Sequence, residues 1–176
     1  MTEGSTATGV AVVVDTELPA GHPDTVADLD RWGALAEAAL ATEGVRVGEL
    51  TLTFIDVDAM TELNEAHMDG TGPTDVLAFP IDGEAVGGVL DIAALDPAPA
   101  SQGTGADEVP LLLGDVVICP AVARANAAEH GRSTDDEIAL LVVHGVLHVL
   151  GHDHQDVDDT ARMRAREQAL LAAHHQ

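Results

Sequence analysis

His144 and His148 stand four residues apart, and His154 follows six residues after His148 with Gly151 between them. On a helix that spacing sends both imidazoles from one face about one turn apart, as two ligands of a single metal ion require. Gly151 permits a left-handed backbone, through which the chain can fold back and offer His154 to the same ion. With 9 histidines in 176 residues, a spacing of four arises by chance about once in two such chains, but requiring the glycine and the third histidine lowers this to on the order of 0.002. Three nitrogen ligands leave a fourth tetrahedral position open, the arrangement of catalytic zinc sites, where water can be ionised near neutral pH. His144 is therefore a candidate catalytic residue as well as a candidate ligand. In zinc peptidases the residue after the first histidine is a glutamate that takes the proton of that water. Here that position is Gly145, so the spacing is metzincin-like while the peptidase base is missing from its usual place.

The elements that must position these residues are visible in the apolar pattern. Thr134 followed by Glu137 predicts a capping box that opens the helix IALLVVHGVLHVL, which is apolar enough to be buried on most sides and is ended by Gly151. Residues 10–14 (VAVVV) predict a strand. Asp24 or Thr25 then caps a helix through Leu29, Trp32, Leu35, Ala36, Ala39 and Leu40, which Gly44 ends. Leu50, Leu52 and Phe54 alternate with Thr51, Thr53 and Ile55, predicting a strand that is central or nearly so, with its Leu50 face inward. From Asp58, Met60, Leu63 and His67 recur at helical spacing until Gly70, Gly72 and Pro73 break the chain. Residues 76–81 (VLAFPI) predict a third strand whose far end Pro80 confines to an edge or a bend.

Residues 111–119 predict the last strand, and Pro120 opens a helix that stops near Gly131. A final helix over residues 158–173 carries a weak apolar face of Met163, Leu170 and Leu171. The pattern predicts one α+β domain over residues 1–176, with a flexible tail at 1–8 and a mobile surface loop at 83–109.

Composition narrows the function classes. Asp and Glu number 31 against 7 Lys and Arg, a formal charge of −24. The pI is near 4.2, lysine does not occur, and aromatic residues make up 2%. An ordinary nucleic-acid surface needs basic stripes and stacking rings, so this balance argues against one. Hydrophobic residues at 46% and a mean hydropathy of +0.14 are enough to build a core. No run of about 18 apolar residues occurs and the first residues lack a basic, apolar leader pattern, which predicts a soluble cytoplasmic protein. The single cysteine, Cys119, excludes an intrachain disulfide and any multi-cysteine zinc site, and it reads as a packed small hydrophobe.

The segment HGVLHVLGHDH, residues 144–154, resembles the signature of the YbeY family of metal-dependent endoribonucleases that act in ribosomal RNA maturation. LNEAHMDGTGPTDVLAFP, residues 63–80, looks like the family's second motif, and LLGDVVICP, residues 112–120, looks like its third, in the family's order. The likeness covers nearly all of residues 50–156 apart from the long loop. It implies a small mixed four-stranded sheet flanked by helices around a zincin-like metal helix. It further implies one Zn2+ ion held by His144, His148 and His154, single-stranded RNA as substrate, and ribosomal RNA and ribosomal proteins as partners, with neither membrane nor DNA.

Where many family members carry an arginine that handles phosphate, this chain has Met68. Phosphodiester cleavage needs positive charge on the phosphoryl oxygens, and without lysine the candidates are the zinc ion, Arg124 and Arg132. Basic ribosomal proteins would attract a chain of this charge and could present the RNA to it.

Other residues carry two readings each. Asp75, in the Pro-Thr-Asp turn, orients a ligand or accepts a proton, or else caps its turn. Asp153 stands behind a ligand imidazole, or is a solvated loop carboxylate. Asn64 bonds the loop that follows it, or is exposed on its helix. Two other functions fit parts of the pattern. A non-catalytic, zinc-stabilised ribosome assembly factor agrees with Met68 and the missing glutamate, and a metallopeptidase agrees with the histidine spacing but not with Gly145.

Overall fold

A computed structural model of the chain describes residues 9–81, 112–152 and 156–175. The expected tail at 1–8 and loop at 83–109 lie outside the described residues. Alternating apolar and polar residues build the sheet. β1 (Val10–Thr16) and β2 (Gly48–Phe54) run parallel, with Val12 opposite Leu50. Leu50, Leu52 and Phe54 are fully buried while Thr51 and Thr53 are half-exposed on the other face, as the period of two requires.

β3 (Val76–Pro80) is antiparallel to β4 (Leu112–Ile118), and β4 pairs in parallel with β2, so the order is β1-β2-β4-β3 and the sheet is mixed. The Leu50 strand is interior, as its alternation predicts. Pro80 sits at the end of an edge strand, where its missing N–H leaves no ladder position empty. The β2–β4 register shifts between Glu49 and Leu50, which face Leu112 and Gly114, so Leu113 is the extra residue of a bulge. A Cβ on Gly114 would lie 2.5 Å from the Phe79 carbonyl oxygen, which keeps that position glycine.

Among the described residues, five helices accompany the sheet: α1 (Leu29–Thr42), α2 (Val57–His67), α3 (Pro120–His130), α4 (Thr134–Val149) and α5 (Val157–His174). Trp32, Leu35, Ala36, Ala39 and Leu40 of α1 and Ile138, Leu141, Val142, Val143, Val146 and Leu147 of α4 share one core with Leu50, Leu52, Phe54, Val116 and Ile118 of the sheet. Met60 of α2 packs on the opposite face with Ile55, Leu77, Val117 and Cys119, so the cysteine is the packed hydrophobe its surroundings in sequence predict. Burial pushes its thiol pKa up. Among the described residues no helix is long and apolar enough to cross a membrane.

Two boundaries differ from the sequence reading. α1 begins at Leu29, because residues 19–25 close turns in which His22 N–H donates to the Pro19 carbonyl and Thr25 N–H to that of His22. Asp24, expected as a cap, is instead ion-paired with Arg124 of α3. α4 is capped by Ser133 and not by Thr134: Ser133 Oγ accepts the Asp136 N–H at 3.0 Å, and its hydroxyl donates to Asp136 Oδ2 at 2.7 Å. Glu137, expected to complete the cap, is buried and lies 3.3 Å from Arg132 Nη1.

Two outcomes follow from this packing. A Cβ on Gly145 would meet Val116 Cγ1 at 2.4 Å inside the core. Gly145→Ala will therefore lower stability by about 1–3 kcal/mol in urea unfolding, against the gain that helix propensity alone gives an alanine. The Ser133 hydroxyl, followed by the His175 imidazole, holds the Asp136 carboxyl below its ordinary value of 3.8. Its contribution is present above 3.8 and is lost as pH falls through the lower folded value. Urea titrations carried from above pH 3.8 down through that lower value will show a smaller acid-dependent loss for Asp136→Asn than for the wild type.

Candidate metal centre

α4 is buried on three flanks, against the sheet, α1 and α3, and α5 packs on it as well. From Leu141 to Leu150 every residue is buried except His144 and His148, which are partly exposed. The two rings meet edge to face, with centroids 4.5 Å apart and planes at 73°. Their Nε2 atoms lie 3.0 Å apart. Two nitrogens about 2.0–2.1 Å from a tetrahedral zinc ion stand roughly 3.3 Å from each other, so the pair already has nearly the separation of two ligands.

α4 ends in a Schellman turn. Gly151 N–H donates to the His148 carbonyl and His152 N–H to that of Leu147, with Gly151 at φ +90°. The chain thus changes direction within three residues of His148, as the glycine predicts. His154 and Asp153 lie outside the described residues. Among the described residues no group of three or more metal-binding side chains assembles.

The residue behind His144 comes from α5. Glu167 Oε1 is 2.6 Å from His144 Nδ1, and Glu167 is buried. Sequence reasoning missed it, because only the apolar residues of α5 marked its inner face. The available signal was its place between Met163 and Leu170, one turn from each, which puts a carboxylate in the buried stripe.

Asp75 is half-buried and hydrogen-bonded within its turn. Its Oδ1 accepts from the Val76 N–H at 2.8 Å and the Thr74 hydroxyl at 3.3 Å, and its Oδ2 accepts from Asn126 Nδ2 at 3.0 Å. The Cys119 N–H donates to its carbonyl at 2.9 Å. These bonds tie the turn before β3 to α3. Asn64 takes the first of its two readings: its Nδ2 donates to the Gly72 carbonyl at 2.8 Å, and Gly70 packs so closely on its amide that a Cβ would lie 2.4 Å away. Met68 is exposed at the end of α2. Arg124 and Arg132 are engaged by Asp24 and Glu137, and Arg31, Arg162 and Arg166 also carry carboxylate partners.

A cleft of about 310 Å³ opens elsewhere, on the sheet face that carries α2. Its polar lining includes Glu17 and Asp115 and no arginine, which is the wrong charge for a phosphodiester. The histidine pair does not line it.

A mixed sheet backed by a helix that presents two converging imidazoles defines an α+β protein with a paired-histidine helix. The family described as Endoribonuclease YbeY matches residues 24–175. A protein of that name from Salinispora tropica is 44% identical over 83% of this chain and 87% of its own length, and one from Acidothermus cellulolyticus is 42% identical over 83% and 84%. The solution structure of a Thermotoga maritima protein shares the fold with a TM-score of 0.52, covering 92% of this chain and 90% of the other at 18% identity. The chain belongs to the YbeY endoribonuclease family, and it is a hydrolase.

Replacing Asp75 by alanine removes the acceptor of Asn126, Thr74 and the Val76 N–H together. Unfolding in urea will show a loss of about 1–3 kcal/mol, the cost of leaving part-buried donors unpaired.

Proposed function

We propose that the chain is a zinc-dependent endoribonuclease that cleaves single-stranded RNA during ribosomal RNA maturation and ribosome assembly in the cytoplasm. The observation that carries the metal reading is the 3.0 Å convergence of His144 and His148 Nε2 at the only two partly exposed positions between residues 141 and 150. Family membership carries the substrate. One Zn2+ ion is held by His144, His148 and His154, the last completing the set that the motif spacing implies. Bound there, the ion supplies the positive charge and the acidified water that phosphodiester hydrolysis needs.

The protein's own part is to aim the two imidazoles and to keep the ion accessible from one side. Gly145 contributes by contact with Val116 and leaves no room for the glutamate a peptidase would place after its first histidine. At −24 the chain repels free RNA. Recruitment accordingly runs through basic ribosomal proteins, which offer both the opposite charge and the RNA. A second reading, a zinc-stabilised assembly factor without turnover, draws support from Met68 at the family's arginine position and from the arginines already paired with carboxylates.

The test is cleavage of a single-stranded ribosomal RNA fragment by the purified chain, by His148→Ala and by a chelated sample, with metal content measured in each. Cleavage by the wild type that falls to background in both controls is the expected result. Zinc bound without cleavage selects the assembly factor, and neither zinc nor cleavage overturns both readings.

A further inference from the structure

α5 is a polar helix whose buried residues are Met163, Glu167 and Leu170. A carboxylate on that stripe is costly to desolvate unless a partner meets it, and the partner here is His144 Nδ1 at 2.6 Å. The preceding residue, Arg166, points about 100° further round the helix and pairs with Glu43, the residue that caps the end of α1. The Glu43 side chain is only 9% exposed, and its other oxygen lies 3.4 Å from His152 Nε2 in the turn that ends α4. Two adjacent residues of α5 thus reach two different supports of the same helix end.

We propose that Glu167 is a positioning residue for the metal centre, and that the Arg166–Glu43 pair anchors α5 so that Glu167 stays against His144. A neutral imidazole carries its proton on either nitrogen and can turn about its Cβ–Cγ bond. When Nδ1–H donates to Glu167, the proton is fixed on that side, the ring orientation is set, and the lone pair is left on Nε2. That is the atom 3.0 Å from Nε2 of His148. The carboxylate also makes the ring a stronger donor to a cation. Arg166 and Glu43 act at one remove, since a helix with so narrow an apolar stripe needs a second attachment to α1 to hold its place. The inference rests on the metal reading above.

The experiment is a Zn2+ competition titration against a chromophoric chelator for the wild type, Glu167→Ala, Glu167→Gln and Glu43→Gln. It is paired with imidazole nitrogen NMR of each metal-free protein at a pH where histidine is neutral. Zn2+ affinity is expected to fall about 10- to 100-fold for Glu167→Ala. Glu167→Gln keeps an acceptor and is expected to recover part of that loss, and Glu43→Gln to lose less than Glu167→Ala. In the metal-free wild type His144 is expected as the Nδ1–H tautomer, and in Glu167→Ala as a mixture. A merely structural role for Glu167 would alter the urea midpoint without moving the tautomer.

Wild-type affinity in Glu167→Ala, or an unchanged tautomer, overturns the proposal and leaves the metal reading standing. A wild type that binds no Zn2+ overturns both. Should Glu167→Ala fail to fold, the Glu167→Gln affinity and tautomer decide, because the isosteric amide keeps the packing.

Discussion

α4 comes within reach of β4 only because Gly145 has no side chain where Val116 presents its methyl groups. That approach lets a helix with apolar residues on nearly every side bury Ile138, Leu141, Val142, Val143, Val146 and Leu147 at once, each worth roughly 1.5–3 kcal/mol when removed from water. Sheet, α1, α3 and α5 then leave one narrow strip of α4 uncovered. His144 and His148 occupy that strip, so the packing which stabilises the fold also decides where the imidazoles reach solvent.

The electrostatics follow a division of labour. A net charge of −24 spreads over the surface, and most arginines are already held by carboxylates, so the molecule offers little positive charge to an RNA backbone. Ordered carboxylates serve as supports instead. Asp75 holds the turn before β3 to α3 through Asn126, Glu43 ties α1 to α5 and faces His152, and Glu167 meets His144. In the reaction proposed above, charge stabilisation would thereby be left to a bound cation, in keeping with the uncharged Met68 at the position where many family members carry an arginine.

Much of this was legible in the chain. The period of two in residues 50–54 identified an interior strand, Pro80 an edge, and the apolar density of residues 138–150 a helix enclosed on most sides. The spacing of His144 and His148 put them on one face, and Gly151 marked the turn beyond. Where the reading slipped, the cause was local competition. Ser133 and Thr134 both offer a capping hydroxyl, and the position went to Ser133, whose side chain meets Asp136, while Glu137 is buried beside Arg132. Asp24 likewise gave up a cap for an ion pair with Arg124, a partner a hundred residues away in sequence.

The sequence by itself determined the elements, the buried helix α4 and the pair of imidazoles on one face of it, because these depend on spacings shorter than two helical turns. Only the tertiary structure decided what stands behind those imidazoles. Glu167 is 23 residues from His144 and Asn126 is 51 from Asp75. Nothing in local periodicity fixes where α5 docks or which of its polar residues turns inward. That is settled by the packing of separate elements around α4, which makes burying a carboxylate tolerable only where an imidazole waits to receive it.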